Sequence, residues 1–277
     1  MKTTAVAKIN LGLNVVEKRP DGYHNLQTVF YPVPIKDVLE VVPMSEDAHS
    51  DMDCDLTVTN IPVEGDIRRN LVVRAYDLLK QDFPTLPRVR VRLEKNIPTQ
   101  AGMGGGSSDC AYMIRVLNAL FGLNLSAAQM ASYAAQLGAD CAFFVYSTPC
   151  YAEGIGEVLT PISLDLSGWH IGVVRPAIPV PTKEAFSRIR PHYPKKNCRE
   201  VVMQPVETWR EELVNDFEES VFALHPELLA VKQQLYKMGA TYAAMSGSGS
   251  ALFGLFRGEP ASLEDAFPDM FTFCGVL

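Results

Sequence analysis

The chain contains at positions 98 to 109 the stretch Pro98-Thr99-Gln100-Ala101-Gly102-Met103-Gly104-Gly105-Gly106-Ser107-Ser108-Asp109. It runs directly into an apolar segment with helical spacing, Cys110 to Leu117. Glycine has no Cβ, so a cluster of glycines lets the main chain adopt positive φ and come close to a ligand. The first amides of a helix point outward and carry the positive end of its dipole, which favours an anion. A flexible linker is the alternative, but linkers intersperse their glycines with polar residues. The stretch therefore predicts a phosphate-binding loop at a helix N-terminus.

The composition is that of an ordinary globular protein: of the 277 residues, 47% are hydrophobic and 21% are charged. The net charge of -7 argues against a nucleic-acid partner, because phosphate contacts need a concentrated excess of Lys and Arg. The N-terminus lacks the apolar run of a secretory signal, and the sequence contains no apolar run long enough to cross a membrane. We therefore expect a cytoplasmic protein that binds neither nucleic acid nor membrane. The length suits two domains, 1–155 and 156–277, with the boundary in the glycine- and proline-containing stretch 149–161.

The first third of the chain is predicted to be mainly β-structure. A turn is expected at Arg19–Gly22, because Pro20 presets φ and Gly22 accepts the left-handed region. Alternation of apolar and polar residues predicts strands at 5–16, 23–30, 36–42, 55–61 and 88–93, with a surface loop at 45–53. A helix is expected at 70–79, where apolar residues recur with helical spacing.

Helices and strands alternate in the rest of the chain. The helix after the glycine stretch is expected to end at Gly122, and a second helix is expected between Ser126 and Gly138. We expect the segment 139–145 to be a loop that contains Asp140 and enters an apolar strand. Further strands are expected at 169–175 and 251–256, helices at 183–189, 207–213 and 227–238, and a second glycine-serine loop at 241–250, with its glycines and serines at 246–250.

Three common nucleotide-binding motifs are excluded. A Walker A sequence would place Gly-Lys-Ser or Gly-Lys-Thr after the glycines. The dinucleotide pattern would place a third glycine at Ser107, where the paired hydroxyls of Ser107 and Ser108 suit phosphate contacts better. The His-Arg-Asp and Asp-Phe-Gly signatures of protein kinases are missing from the sequence.

What remains is a resemblance to the GHMP kinases, whose central motif is Pro-x-x-x-Gly-Leu-Gly-Ser/Gly-Ser-Ser followed by a helix. Pro98 to Ser108 resembles that motif, with Met103 in the leucine position. Four further motifs in the family's order extend the resemblance over most of the chain: Ala7-Lys8-Ile9-Asn10-Leu11, Arg19-Pro20-Asp21-Gly22-Tyr23-His24, Leu137-Gly138-Ala139-Asp140 and Ser246-Gly247-Ser248-Gly249-Ser250. The resemblance implies an α+β fold of two domains. The N-terminal domain would be ribosomal protein S5 domain 2-like and bind the nucleotide, and the C-terminal domain would be ferredoxin-like and bind the substrate.

The four motifs are similar to those of the family members that act on a cytidine-diphospho substrate. The resemblance implies ATP-dependent phosphorylation of the 2-hydroxyl of 4-diphosphocytidyl-2-C-methyl-D-erythritol in the non-mevalonate isoprenoid route, with Mg2+ as cofactor. It implies that Asp140 takes the hydroxyl proton and that Lys8 lies beside this carboxylate and the reacting oxygen. A cation there holds the carboxylate ionised and offsets the negative charge that develops during phosphoryl transfer.

The resemblance also implies which residues bind the two small molecules. Cytosine would be stacked between Tyr23 and Phe186, with His24 hydrogen-bonded to the base. Asn10 and Thr182 would contact the diphosphate or the polyol. The residues implied for ATP are Asn70 and Lys95 near the adenine, and Pro98, Gly102, Gly104, Gly105, Gly106, Ser107 and Ser108 around the triphosphate. We expect Asp109, in contrast, to stabilise the helix N-terminus.

Two alternatives stay open at this point. The chain could be a GHMP kinase for another small alcohol, such as homoserine or mevalonate, although Tyr23 and His24 argue against it. It could also resemble the non-catalytic sugar sensors that share the fold, although retention of Lys8 and Asp140 argues against that. The sequence assigns no metal ligands, and it leaves the choice between monomer and homodimer open.

The chain departs from the family pattern at three places. Gln100 stands where glycine is usual, Cys110 stands where alanine is usual, and Cys141-Ala142 replaces Val-Pro after Asp140. None of these changes removes a proposed catalytic group, but they alter the surroundings of Asp140 and of the predicted phosphate pocket. The path of the loop at Asp140 is therefore left open by the sequence.

Overall fold

A computed structural model describes residues 1–45 and 49–277 of the chain. The strands of this part are β1 Lys2–Lys18, β2 His24–Pro43, β3 Cys54–Asn60, β4 Val89–Lys95, β5 Cys150–Glu153, β6 Val158–Pro161, β7 His170–Arg175, β8 Tyr242–Met245, β9 Leu252–Phe256 and β10 Phe271–Val276. Its helices are α1 Leu71–Asp82, α2 Gly105–Phe121, α3 Ala127–Leu137, α4 Cys141–Tyr146, α5 Thr182–Ala185, α6 Cys198–Val202, α7 Trp209–Glu212, α8 Phe217–Leu224, α9 Pro226–Lys237 and α10 Leu263–Ala266. The predicted surface loop at 45–53 lies partly outside the described residues, at 46–48.

The chain forms two compact units. The first consists of Met1–Ala7, Ile35–Thr99 and Gly104–Thr148, and the second of Lys8–Pro34, Gln100–Met103 and Pro149–Leu277. The long strands β1 and β2 each contribute residues to both units. No helix of the described ranges, 1–45 and 49–277, is long and apolar enough to cross a membrane. The predicted division at residue 155 stays a prediction.

In the first unit, helices pack on a small sheet. β3 pairs in parallel with β4, and β4 pairs antiparallel with Val38–Pro43 of β2. Parallel neighbours need a crossover connection, which α1 supplies between β3 and β4. α1 buries one apolar stripe, whose members are Val72, Val73, Ala75, Tyr76 and Leu79. β4 alternates buried Val and Leu with exposed arginines, as its sequence predicts.

The second unit contains a four-stranded antiparallel sheet in the order β10-β7-β9-β8. Numbered within the unit, this order is 4-1-3-2, with helices between the first and second strands and between the third and fourth. That is the ferredoxin-like arrangement that the sequence comparison with GHMP kinases implied. A buried cluster that includes Val174, Leu228, Leu235 and Phe256 forms the core between this sheet and the helices α8 and α9.

Most of the strongly patterned elements form where the sequence predicted them. The turn at Arg19–Gly22, the α2 end at Gly122 and the capping box that Ser126 forms at the start of α3 are confirmed. The segments 23–30 and 36–42 were predicted as separate strands, which was wrong, because β2 runs through both. Pro32 and Pro34 lie between the residues paired with β5 and those paired with β4, so they remove no amide from either ladder.

The segment after Asp140 is also corrected. The apolar run 141–145 was predicted to be a strand, but it forms the helix α4. A short apolar run cannot be assigned by periodicity, because a buried strand and a buried helix leave the same pattern. Here Cys141 N donates to Gly138 O at 3.1 Å and Ser147 N donates to Phe143 O at 2.8 Å, which closes the run into helical turns. The placement of Asp140 in a short loop before this run is confirmed.

Candidate active site

The N-terminus of α2 opens without a capping side chain. Its N-cap residue is Gly104, which adopts the left-handed region with φ 68° and has no side chain to offer to the first-turn amides. The first turn consists of Gly105, Gly106 and Ser107, whose amides therefore carry the positive end of the helix dipole unscreened by a cap. This end of the helix can receive an anion through main-chain N–H groups.

The glycines of the loop are constrained in different ways. Gly102 has φ 72°, and a Cβ on it would lie 1.9 Å from Ser246 O. A Cβ on Gly105 would lie 3.0 Å from Ile97 Cγ2. Gly106 is exposed and helical, and the nearest protein atom to an added Cβ would be Leu71 Cδ1 at 3.8 Å. Neither backbone conformation nor protein packing demands glycine at Gly106, whereas close approach of a ligand to the main chain would.

A buried ion cluster lies beneath this helix start. Lys95 Nζ donates to Asp109 Oδ2 at 2.7 Å and also to Asp37 Oδ2, and each of the three side chains is at most 3% exposed. Asp37 Oδ1 accepts from Ile97 N at 2.8 Å. A Cβ on Gly105 would lie 3.2 Å from Lys95 Nζ, so the cluster directly supports the loop.

The surroundings in this cluster change the pKa values of Asp109 and Lys95. Burial raises the pKa of Asp109 to about 7, the Lys95 ammonium opposes this rise, and the Asp37 carboxylate adds to it. Burial by itself would lower the pKa of Lys95, but attraction from Asp109 and Asp37 outweighs it, so the pKa of Lys95 is raised. The expectation that Asp109 stabilises the helix N-terminus is corrected: its carboxylate binds Lys95 instead.

Ser107 and Ser108 have different surroundings. Ser108 is fully buried, and its hydroxyl donates to Val6 O at 2.7 Å, which ties α2 to β1. Ser107 is partly exposed, and its hydroxyl contacts the Cys141 thiol at the start of α4. Asp140 directly precedes that cysteine and is partly buried. The first unit thus brings Ser107 and the Asp140–Cys141 turn together.

Asn70 and Lys95, both predicted to lie near the adenine, differ in which of their polar groups are already hydrogen-bonded within the protein. Asn70 is the N-cap of α1, and its Oδ1 accepts from Val72 N at 2.9 Å. The Lys95 ammonium is committed to two carboxylates, whereas its backbone carbonyl accepts from Asn60 Nδ2 at 2.8 Å. An adenine contact from either residue stays a prediction.

Lys8 lies in the second unit, in a buried polar chain along β1. It is 3% exposed, its Nζ donates to Asn10 Oδ1 at 2.6 Å, and it lies 4.9 Å from the centroid of the Phe30 ring. Asn10 Nδ2 donates to Thr28 Oγ1 at 2.9 Å, and Thr28 donates to Gly12 O at 2.6 Å. Each donor in this series of hydrogen bonds orients the next acceptor, so the Lys8 ammonium group is held in one place.

The second glycine-serine loop lies against the first glycine stretch. Ser246 Oγ donates to Gly102 O at 2.9 Å, and Asn10 N donates to Ser246 Oγ at 3.3 Å. A Cβ on Gly247 would lie 3.3 Å from Gly102 Cα and 3.4 Å from Asn10 Oδ1. Within the second unit, the structure therefore brings together Asn10, Gly102 and the loop 246–250, three parts far apart in sequence.

Two of the residues that were predicted to bind the base, His24 and Phe186, belong to an aromatic group of the same unit. The His24 and Phe186 rings are stacked with centroids 4.6 Å apart, and the edge of Phe217 packs on Phe186 at 4.8 Å. Tyr23 is 61% exposed, and Thr182 is exposed at the first position of α5. Burial, followed by the charge of Lys18, lowers the pKa of His24. A neutral imidazole can both donate and accept a hydrogen bond at neutral pH.

No group of three or more His, Cys, Asp or Glu side chains able to hold a metal ion occurs in residues 1–45 and 49–277. Magnesium is commonly held by substrate phosphates and water with one or two carboxylates, rather than by an all-protein cage.

Three features of the site were missed by sequence reasoning: the carboxylate of Asp37, the pairing of Asp109 with Lys95, and the segment 214–217, in which Asn215 Nδ2 donates to Gly247 O of the second loop at 2.8 Å. Asp37 and Lys95 are 58 residues apart, and nothing local in the sequence signals that they meet. The only available signal was the presence of charged residues inside otherwise apolar strand patterns.

The chain is similar in sequence and in fold to proteins of one family. The family model described as GHMP kinases N terminal domain matches residues 70–148, and the model described as GHMP kinases C terminal matches residues 199–272. The chain is 48% identical over 278 residues to a 4-diphosphocytidyl-2-C-methyl-D-erythritol kinase from Bacteroides thetaiotaomicron, with 100% of both chains covered. A crystal structure of 4-(cytidine 5'-diphospho)-2C-methyl-D-erythritol kinase matches with a TM-score of 0.79 and 34% identity, over 92% of this chain and 90% of that one. A homoserine kinase from Cytophaga hutchinsonii matches with a TM-score of 0.68 at 14% identity, over 99% of this chain and 94% of that one, a likeness of fold alone.

Proposed function

The chain belongs to the GHMP kinases, and from this premise we propose that it phosphorylates the 2-hydroxyl of 4-diphosphocytidyl-2-C-methyl-D-erythritol with ATP. This reaction is a step of the non-mevalonate isoprenoid route. The single observation that carries the proposal is that a kinase of this name is 48% identical over the whole of both chains. The motifs of the acceptor side, Lys8, Asn10, Tyr23 and His24, are part of that shared length.

The triphosphate is assigned to the start of α2. The uncapped first turn supplies main-chain donors, and the absence of a side chain at Gly106 lets an anion approach them. We assign Gly102, Gly104, Gly105, Gly106 and Ser107 to this task. Ser108 and Lys95 support it from below, because their polar groups are engaged by Val6 and by the two carboxylates. Magnesium bound to the phosphates would neutralise part of their charge.

Asp140 is assigned as the base and Lys8 as the charge-stabilising group. The acceptor oxygen attacks the γ-phosphorus, the bond from that phosphorus to the β–γ bridging oxygen breaks, and ADP leaves while the hydroxyl proton passes to Asp140. Phosphoryl transfer depends mainly on positioning and on compensation of charge. The hydrogen bond from Lys8 to Asn10 supplies both, because it holds a buried cation in a fixed orientation.

The cytosine base is assigned to Tyr23, His24 and Phe186. The exposed Tyr23 ring offers a stacking face, and His24 offers ring nitrogens to the base edge. Phe186 stacks on His24, so it also sets the orientation of that imidazole. Thr182 is assigned to the diphosphate or polyol, since it lies exposed four residues before Phe186 on the same short helical segment.

An acceptor panel tests this function. Purified full-length protein is given ATP with the cytidine-diphospho substrate, homoserine or mevalonate, and ADP formation is measured. We expect ADP to form with the cytidine-diphospho substrate at least about a hundredfold faster, because a pocket built for a base leaves its polar groups unpaired with a smaller alcohol. Preference for homoserine or mevalonate would replace the proposed acceptor. ATP binding without turnover on any of the three would favour a non-catalytic binding protein.

A further inference from the structure

The segment Val214–Phe217, which connects α7 to α8, is fastened along β1. Leu13 N donates to Val214 O at 2.9 Å, and Asp216 N donates to Leu13 O at 2.8 Å. Asp216 Oδ2 accepts from Val15 N at 2.8 Å. These bonds give the segment 214–217 one fixed position relative to the strand that carries Lys8 and Asn10.

Asn215 is the residue of this segment that reaches the second glycine-serine loop. It is 4% exposed, and its Nδ2 donates to Met245 O and to Gly247 O, each at 2.8 Å. Its Oδ1 accepts from Phe217 N at 3.0 Å. One side chain therefore holds the last carbonyl of β8, one carbonyl of the loop and the first amide of α8. Glu218 in that helix holds Met245 from the other side, because its Oε1 accepts from Met245 N at 2.8 Å.

The loop needs such anchors. Gly247 and Gly249 have φ values of 55° and 90°, so glycine flexibility is built into it. Its contacts with Gly102 and Asn10 depend on where Ser246 and Gly247 lie. A buried amide that is hydrogen-bonded beside two left-handed glycines gives the loop one fixed position.

The same segment supports the aromatic group. Phe217 follows Asn215 by two residues, and its ring packs edge-on against Phe186, which stacks on His24. Asn215 accepts the hydrogen bond from Phe217 N and so orients the start of the helix that carries this ring. The two ends of the proposed acceptor site thus meet at one side chain.

We propose that Asn215 is a positioning residue of this kinase, which sets the 246–250 loop against Gly102 and Asn10 through its amide nitrogen and sets the start of α8 through its amide oxygen. The role rests on the proposed function, because it aligns groups assigned to phosphate and acceptor. Asn215 acts through these neighbours and makes no contact with reacting atoms in this role.

The substitution Asn215→Asp separates the role of the amide nitrogen from that of the amide oxygen. A carboxylate still accepts from Phe217 N, but it cannot donate to Met245 O and Gly247 O and repels both carbonyls. We expect kcat to fall about tenfold or more, because small displacements of aligned groups slow phosphoryl transfer steeply. The Kd for cytidine 5'-diphosphate, used as a probe of the aromatic group, should change less than twofold. Hydrogen exchange should become faster in peptides covering 245–250 and 100–103.

Asn118→Asp is the matched control. Asn118 braces the loop between α2 and α3 in the same manner, donating from Nδ2 to Leu125 O at 3.1 Å and accepting from Leu125 N at 2.8 Å. This variant should lower the unfolding midpoint while kcat and exchange at 245–250 stay within twofold of the unaltered protein. If Asn215→Asp does not fold, Gly247→Ala perturbs the loop directly, since its Cβ would meet Gly102 and Asn10, and it should give the same loss of kcat.

The outcomes are distinguishable from those of the acceptor panel. If the unaltered protein phosphorylates none of the acceptors, the proposed function fails, while faster exchange at 100–103 in Asn215→Asp still supports the positioning role. A folded Asn215→Asp or Gly247→Ala variant with kcat within twofold of the unaltered protein would overturn the role. So would unchanged exchange at both 245–250 and 100–103.

Discussion

At the scale of single residues, Gly102 and Gly106 show how neighbouring glycines serve different ends. Gly102 is required by the protein itself, since its left-handed backbone and the carbonyl of Ser246 leave no room for a Cβ. Gly106 faces open space, so its lack of a Cβ matters for what approaches α2 from outside. The fold therefore demands the missing Cβ at Gly102, whereas only an approaching ligand would demand it at Gly106.

Alanine substitutions at these two positions should therefore affect different properties, the stability of the fold at Gly102 and the binding of ATP at Gly106. Gly102→Ala is expected to lower the unfolding free energy by about 3 kcal/mol, because a Cβ 1.9 Å from Ser246 O forces the backbone to move. Gly106→Ala should change it by no more than about 1 kcal/mol, because alanine suits a helix. It should nevertheless raise the KM for ATP about tenfold. Denaturant unfolding measures the unfolding free energy, and steady-state kinetics measures the KM for ATP. A normal KM for ATP in Gly106→Ala would contradict the assignment of the triphosphate to this helix turn.

Tyr23→Ala should raise the KM for the cytidine-diphospho substrate about fivefold or more and leave the KM for ATP nearly unchanged. Loss of one base stack costs about 1 to 3 kcal/mol, which corresponds to at least a several-fold weaker complex. Tyr193→Ala is the control, because Tyr193 is likewise exposed, at 69% against 61% for Tyr23. Equal increases in both KM values would show that Tyr23 supports the fold rather than the base.

The sequence located the glycine loop but not the side chains that support it. The loop is predictable because its signal is local: four glycines and a helix within twenty residues. The contact of Ser246 with Gly102 spans 144 positions, and the pair Asp37 and Lys95 spans 58. Such contacts follow from tertiary packing, which local propensity does not encode.

At the scale of elements, predictability follows from the strength of the local pattern. α1 and α3 have a clear apolar stripe or a capping box, and both were predicted. The strand prediction for the segment that forms α4 was wrong, because five consecutive buried residues carry no periodicity. The short strands β5, β6, β8 and β10 were missed, and the residues of β8 were assigned to the second loop, since strands of four to six residues depend on their partners more than on their own sequence.

The ion cluster that joins β2, β4 and α2 should make stability depend on pH. Burial raises the pKa of Asp109 to about 7, whereas an unfolded aspartate titrates near 3.9. Between these values the folded protein binds the extra proton, so the unfolding free energy falls as pH rises from about 4 to about 7 and is constant above.

Asp109→Asn removes this titration while keeping a polar partner for Lys95. The unfolding midpoint of the unaltered protein should therefore fall between pH 5 and pH 7.5 by about 3 °C more than that of the variant. Thermal unfolding of both proteins across this range measures the difference. Parallel curves would show that Asp109 stays ionised beside Lys95 throughout.

At the scale of the whole molecule, the ferredoxin-like strand order of the second unit and the parallel β3–α1–β4 unit of the first agree with the fold implied by the resemblance to GHMP kinases. Composition and charge could not have given this topology, since many α+β proteins share them. The motifs could, because they carry the resemblance to the GHMP kinases, which implies the fold of that family. Membership in the family thus rests on the full length of the chain and not on the glycine loop alone.

The central claim is transfer of a phosphoryl group to one hydroxyl with Asp140 as base. Phosphorus NMR of the products made from ATP and the cytidine-diphospho substrate tests it most directly, with Asp140→Asn run beside the unaltered protein. We predict ADP and a new phosphate monoester at the 2-position with the unaltered protein, and a loss of at least about a thousandfold in rate with Asp140→Asn, while ATP binding persists. A product phosphorylated elsewhere, or near-normal turnover by Asp140→Asn, would contradict the account.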